Sequence, residues 1–314
     1  MLSRIVLRLE LRLLAIFTGI IVLVWGLGQL LPPAPLSALS RPGWNRTPDI
    51  YVLDIFRGLA LNLTKNGAWN EGGAVAPDGR HLAYTSFIDG NAEIYVLNLT
   101  TGTQQRLTGD MAYDGSAAWS PDGNWLAFAS ERGSSLDLYV IAAAGGTPRQ
   151  VASTPDADSA PAWSPDSKQL AFVKSENYGS GIYITRTDGS GEPRQLTAYA
   201  GNNSAPTWSP DGKWVAFVSD QTGRMDLYLL PVACLETPDG CASSNPRPLT
   251  RLGYDRLDAP RWSADGRLYF WGQTGAKLEL YALDANCDLQ PGGCVPQRLT
   301  NLGRSLMLGH QQFE

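Results

Sequence analysis

Trp119-Ser120-Pro121-Asp122-Gly123, running on into Leu126-Ala127-Phe128-Ala129-Ser130, decides the fold, because it returns along the chain. Trp163-Ser164-Pro165-Asp166-Ser167 leads into Leu170-Ala171-Phe172-Val173, and Trp208-Ser209-Pro210-Asp211-Gly212 into Val215-Ala216-Phe217-Val218-Ser219. Weaker copies flank these at Val75-Ala76-Pro77-Asp78-Gly79 and Trp262-Ser263-Ala264-Asp265-Gly266. The Asp stands at 78, 122, 166, 211 and 265, so the steps are 44, 44, 45 and 54. A fixed period in this range marks an array of supersecondary units.

Each unit reads as four short strands. Ser116 to Trp119 is the first, and Ser120-Pro121-Asp122-Gly123 is a tight turn in which Pro presets φ and Gly tolerates a positive one. Trp125 to Ser130 is the second strand, Leu136 to Ile141 the third and Pro148 to Val151 the fourth. Period-two alternation, aromatic and β-branched residues and turn punctuation every 8 to 12 residues argue for antiparallel strands. Four strands in about 44 residues describe one blade of a β-propeller. The repeated Trp119, Trp163, Trp208 and Trp262 are expected between blades, and each Pro-Asp-Gly Asp is expected to serve its turn.

Two further registers count the units. Tyr51, Tyr95, Tyr139, Tyr183, Tyr228 and Tyr281 follow Ile or Leu in third strands, and Leu-Thr pairs mark fourth strands at 63, 107, 196, 249 and 299, with Val151-Ala152 in place of one. Third-and-fourth halves therefore number six and opening halves five. The spacing predicts an all-β, six-bladed propeller over 49–314 with a shared closing blade. Its third and fourth strands come from Ile50 to Thr64, its first from Leu306 to Phe313, and a weak second from Leu39 to Trp44. Sharing one blade between the chain ends leaves few free strand edges.

The N-terminus has a different character. Leu13 through Leu31 carries no charge, and nineteen residues at helical rise span about 28 Å, close to a bilayer's hydrocarbon core. Arg4, Arg8 and Arg12 precede it and Pro32-Pro33 follow it. The positive flank predicts a cytoplasmic segment (1–12), one transmembrane signal-anchor helix (13–31), a linker (32–48) and a propeller on the far, extracytoplasmic side, periplasmic or at the cell surface. The alternative is a cleaved signal peptide, for which the apolar run is long and Ala38-Leu39-Ser40 is distant. The net charge of −5 becomes −7 without the first twelve residues, and no basic stripe remains, so nucleic acid is excluded as a partner.

The four cysteines pair by position: Cys234 with Cys241 and Cys287 with Cys294, each pair between a third and a fourth strand. On the far side of a membrane these are expected as disulfides. A four-thiolate zinc site is the competing reading, and the spacing, the distance between the pairs and the oxidising compartment argue against it.

The repeat resembles the TolB-type propeller repeat, also called WD40-like or PD40. Ala205-Pro206-Thr207-Trp208-Ser209-Pro210-Asp211-Gly212, Val215-Ala216-Phe217-Val218-Ser219-Asp220, Leu227-Tyr228 and Leu249-Thr250 carry the resemblance, which covers about residues 50 to 300. It implies a propeller that binds protein partners. TolB itself works in the periplasm with Tol–Pal partners, behind a separate α/β domain.

Just ahead of each first strand stands an Asp or Asn: Asn70, Asp114, Asp158, Asn203 and, one step out of register, Asp258. In a propeller that place lies at the mouth of the central channel. A polar ring there has the groups to bind a cation, a basic or polar peptide segment, or a sugar. Equally, Asp and Asn cap local backbone at turns. Tyr113, Tyr199, Tyr254 and Trp69 share these loops, for contact or for packing under them. Catalytic signals are sparse: His81 and His310 belong to no motif, and there is no Gly-x-Ser-x-Gly, His-Glu-x-x-His or Walker loop. The sequence therefore predicts a protein- or peptide-binding scaffold without metal or cofactor. The alternative is a carbohydrate-active or other propeller enzyme using carboxylates at the channel mouth. An inert spacer or sensory ectodomain is a third reading.

Overall fold

The computed structural model describes Arg12, Leu13 and residues 49–299, apart from 55–58, 177–178, 198–200, 237–240, 242–245, 252, 276 and 288–293. The chain is an all-β propeller. Five four-stranded antiparallel sheets follow one another, each built from consecutive strands in simple order. Their first strands are Asn70–Val75, Asp114–Trp119, Ala157–Trp163, Asn203–Trp208 and Arg256–Trp262, which open blades 1 to 5.

The blade count corrects the expectation of six. Five complete blades stand among the described residues, and the remaining sheet has three strands, Arg12–Leu13, Tyr51–Asp54 and Leu59–Asn62. Tyr51–Asp54 and Leu59–Asn62 are the predicted third-and-fourth half-unit, paired antiparallel. Among the described residues four-stranded sheets form only where an opening hairpin is present, with its Pro-Asp-Gly, Pro-Asp-Ser or Ala-Asp-Gly turn, and there are five of those. The neighbour of Tyr51–Asp54 is Arg12–Leu13. The predicted donors, Leu39 to Trp44 and Leu306 to Phe313, lie outside the described residues, as does His310. So does the predicted transmembrane segment except Leu13, which is in a strand. No described helix is long and apolar enough to cross a membrane.

Side-chain alternation builds the core between blades. One buried cluster joins Ala83, Ile94 and Val96 of blade 1 to Leu126, Phe128 and Ile141 of blade 2. Equivalent clusters join blades 2 and 3, 3 and 4, and 4 and 5. Within each blade the second-strand aromatic faces the third-strand Tyr in direct register, as Phe128 with Tyr139, Phe172 with Tyr183 and Phe217 with Tyr228. Their ring centroids stand 5.9 to 6.0 Å apart, an aromatic cross-strand pair repeated around the wheel.

The repeated Trp residues lock the blades as expected, with one detail the sequence did not show. Each indole Nε1 donates to a backbone carbonyl of the preceding blade: Trp119 to Ala74 (3.0 Å), Trp163 to Ala118 (2.9 Å), Trp208 to Ala162 (3.1 Å) and Trp262 to Thr207 (3.3 Å). An indole N–H is thereby satisfied at each of the four joints between consecutive complete blades. The Asp residues serve their turns. Ser120, Ser164 and Ser209 donate their hydroxyls to Asp122, Asp166 and Asp211 at 2.5 to 2.6 Å. Those hydrogen bonds hold the three carboxyl groups below the usual carboxylate range. His81 likewise serves its turn, with Nδ1 against Asp78 at 2.7 Å.

Both disulfides form, Cys234–Cys241 and Cys287–Cys294, with Cα separations of 4.8 and 4.9 Å. Each follows a third strand, at the end of the blades where the Pro-Asp-Gly turns lie. Cys234 and Cys241 join the core between blades 3 and 4, and Cys287 the core between blades 4 and 5.

Candidate functional site: the central channel

The five first strands converge on a central channel, and each bends there. Every first strand shifts register partway along, between Glu71 and Ala74, Gly115 and Ala118, Ser159 and Ala162, Ser204 and Thr207, and Asp258 and Arg261. Within four of these bulges a residue takes left-handed φ: Gly72 (56°), Ser116 (57°), Ala160 (50°) and Ala205 (49°). A bulge re-aims side chains and bends the strand. As a result consecutive residues such as Ser116, Ala117 and Ala118 all line the channel.

Two cavities make up the channel. The one at the mouth, about 340 Å³, is walled by Ala and Pro and carries Glu71, Tyr113, Asp258 and Arg261. The other, about 420 Å³, opens toward the turns among Trp119, Trp163, Trp208 and Trp262. Ala118, Ala162 and Arg261 belong to both and mark the waist.

The predicted polar ring divides into two groups. Asn70, Asp114, Asp158 and Asn203 are fully buried beneath the mouth and tie blades and loops together. Asn70 Nδ2 donates to the Ala68 carbonyl (2.9 Å) and to Asp49 (3.2 Å). Asp114 accepts twice from Arg132 Nη2, at 3.0 and 2.8 Å, and burial still raises its pKa above the ordinary value. Asn203 exchanges hydrogen bonds with Ser180 of the preceding blade, its Nδ2 donating to the Ser180 carbonyl at 2.7 Å. Asp158 accepts from Thr154 Oγ1 at 2.9 Å, while its Oδ2 is buried with no partner. Burial pushes that carboxyl up to about 7.

Asp258 behaves differently because of its offset. Asp114 lies opposite Ser130, but in blade 5 the matching place opposite Gly272 belongs to Leu257, and Asp258 lies opposite Trp271. A one-residue slip sends a strand side chain to the other face. Leu257 is therefore buried, and Asp258 lines the channel, ion-paired to Arg256. Among the described residues no three His, Cys, Asp or Glu side chains are placed to hold a metal ion, which leaves the expected cation at the mouth unsupported.

Two channel residues escaped the sequence reading. Glu71 sits one step past Asn70 and faces the channel; its carboxylate accepts from Trp69 Nε1 (3.0 Å) and the Tyr113 hydroxyl (3.0 Å). Arg261 occupies the register place that Ala74, Ala118, Ala162 and Thr207 hold elsewhere. A signal was available, since a lone charge directly preceding the repeated Trp breaks a run of small residues. Of the loop aromatics, Tyr254 packs inside, Trp69 is half-exposed, and Tyr199 lies outside the described residues.

Repeated four-stranded blades packed side by side around an Ala- and Pro-walled channel define a β-propeller whose entry loops lie at one mouth. The family described as the TolB beta propeller domain, PD40, matches residues 44–155 and 148–266, and the chain belongs to that family. No curated protein matches the chain. Among solved structures it is similar to a putative TolB from Agrobacterium tumefaciens, with 23% identity, a TM-score of 0.64, and coverage of 80% of this chain and 87% of that one. It is also similar to TolB from Acinetobacter baumannii, with 20% identity and a TM-score of 0.61, over 82% of this chain and 60% of that one. A puromycin-hydrolyzing peptidase from Mycobacterium tuberculosis is similar at 16% identity and a TM-score of 0.59, over 86% of this chain and 42% of that one. These likenesses establish the fold.

Proposed function

We propose that the chain is a membrane-anchored, extracytoplasmic propeller that serves as a scaffold for binding a protein or peptide at its channel mouth. The observation that carries this reading is the make-up of the mouth. Glu71 and Asp258 line the opening, and Trp69, Ile88 and Met111 stand exposed on loops at the same end, Met111 almost completely so. These loops are braced on one another. Phe87 N–H donates to the Trp69 carbonyl, and Asn91 Nδ2 donates to the carbonyls of Asp110 and Ala112. Exposed apolar groups beside fixed polar ones, carried by loops on a rigid frame, are what partner recognition uses. Both carboxylates are already engaged, Glu71 by Trp69 and Tyr113 and Asp258 by Arg256, which favours binding over acid–base chemistry. The uncharged run of residues 13–31 supports the anchor, and the two disulfides support an oxidising compartment.

Site-specific photo-crosslinking in intact cells tests the reading. A crosslinker at Met111, on the mouth, is expected to trap a discrete partner. One at Val295, exposed in the loop between the third and fourth strands at the opposite end, is expected to trap none. Equal trapping from both positions, or none from either, would refute it. External protease reaching the propeller in cells with a permeabilised outer surface tests the topology.

A further inference from the structure

Among the described residues, every charged side chain lining the channel but one has a hydrogen-bond or ion-pair partner. Glu71 and Asp258 have partners, as described. Arg261, at the waist, has no ion pair or hydrogen bond among the described residues. Four small residues hold the equivalent place in the other four complete blades, so among the described residues Arg261 alone puts a long side chain at this register place. It borders both cavities. Burial lowers its pKa to about 10, which leaves it cationic at neutral pH. A guanidinium carries five N–H donors in a planar fork, and leaving such a group unpaired in a narrow passage is costly unless something visits it.

We propose that Arg261 anchors an anion site at the channel waist, and that its ligand is a carboxylate entering the channel. The planar fork matches a carboxylate with two parallel hydrogen bonds. The walls favour that anion over a phosphate. They are Ala118, Ala162, Pro161 and Pro206 on the mouth side and indoles beyond, and the other donors in the lining are neutral hydroxyls such as Ser116 and Thr207, with no second cation for a doubly charged anion. Glu71 and Asp258 at the mouth would also repel a doubly charged group more than a singly charged one. The carboxylate arrives either on a small free acid or on an acidic peptide side chain, and the two sources share the same contact.

The test uses the purified full chain, labelled with nitrogen-15, and follows the arginine Nε–H resonances. The Arg261 signal is assigned by its loss in Arg261→Thr, a residue that blade 4 already carries at this place as Thr207. Propionate is expected to shift the Arg261 signal saturably, whereas sodium chloride at matched ionic strength is not. A capped acetyl-Ala-Glu-Ala-amide is expected to do the same, and its Gln counterpart is not. Arg261→Lys, which keeps the charge and loses the fork, should weaken propionate binding about tenfold. A response to propionate and the Glu peptide assigns the site to peptide-borne carboxylates, and a response to propionate alone assigns it to small free acids. No saturable shift, or an equal shift with chloride, overturns the proposal. Neither probe requires a protein partner. Failure to trap a partner at Met111 therefore leaves a positive result standing, and a trapped partner does not rescue a negative one.

Discussion

Asp114 and Leu257 occupy the same place in two blades, the first opposite Ser130 and the second opposite Gly272, and both are buried. The acid that looks like Asp114's counterpart, Asp258, stands on the other face of its strand. The two acids should therefore respond differently to removal. Asp114→Ala strips Arg132 of a buried partner, only partly replaced by Asp110 at 3.0 Å, and should cost roughly 2–4 kcal/mol. Asp258→Ala loses a half-exposed ion pair and should cost below about 1 kcal/mol. Denaturant midpoints measure both, and equal losses would show that the register offset has no consequence.

The pH dependence should follow Asp158. Its folded pKa is pushed up to about 7 by burial, whereas the unfolded carboxyl titrates near 3.8. Below 3.8 both states are protonated and the native state carries no penalty from this group. As pH rises toward 7 the unfolded state ionises first, so stability falls through that window and then levels off. Asp158→Asn places at this position the residue that Asn70 and Asn203 already supply in blades 1 and 4. It should raise stability at pH 8 by about 1–3 kcal/mol and flatten the slope between pH 4 and 7. Thermal melts across that range decide it; an unchanged slope would mean that Asp158 is ionised in the folded chain.

The repeat was readable because its signals are local. Alternation, the Ser-Pro-Asp-Gly turn and the Leu-Thr ending each act within a few residues, and they gave the sheets and the inter-blade Trp layer, while the short spacing of each cysteine pair between a third and a fourth strand gave the disulfides. What a side chain faces at the channel depends on register, which no short stretch contains. The bulges sit on Ser116, Ala160 and Ala205, residues that do not announce a positive φ. The buried role of Asp114, the channel role of Glu71 and the reach of Arg261 all depend on where those bulges fall. The sixth blade was overcounted for a related reason. Third-and-fourth halves recur six times, but a complete sheet also needs an opening hairpin, and five are present among the described residues.

The disulfides should contribute measurably. Each closes a short loop, with a sequence separation of 7, and the chain-entropy model gives about 2–3 kcal/mol for a loop of that size. Cys234 and Cys241 are both buried in the core between blades 3 and 4, whereas Cys294 is only partly buried. Replacing the Cys234–Cys241 pair by Ala should therefore cost more than replacing Cys287–Cys294, because packing is lost along with the cross-link. Equal midpoint shifts in denaturant would assign the whole effect to loop closure.

The bulges also make a claim about strain that blade 1 can test against blade 4. Gly72 holds φ 56° with nothing within 4 Å of where a Cβ would stand. Gly72→Ala thus adds no clash, and its cost is that of left-handed backbone alone, about 1–2 kcal/mol. Ala205 holds φ 49° at the equivalent place and already bears that cost. Ala205→Gly relieves it, offset by the extra freedom glycine gains in the unfolded chain and by a lost methyl contact, so the result should lie between neutral and about 1 kcal/mol stabilising. Ala162→Gly, whose φ is not left-handed, should instead destabilise by roughly 1 kcal/mol or more. Opposite signs for Ala205→Gly and Ala162→Gly in one host would place the strain at the bulge. Destabilisation of similar size at both would mean that the channel strands hold their bend without it.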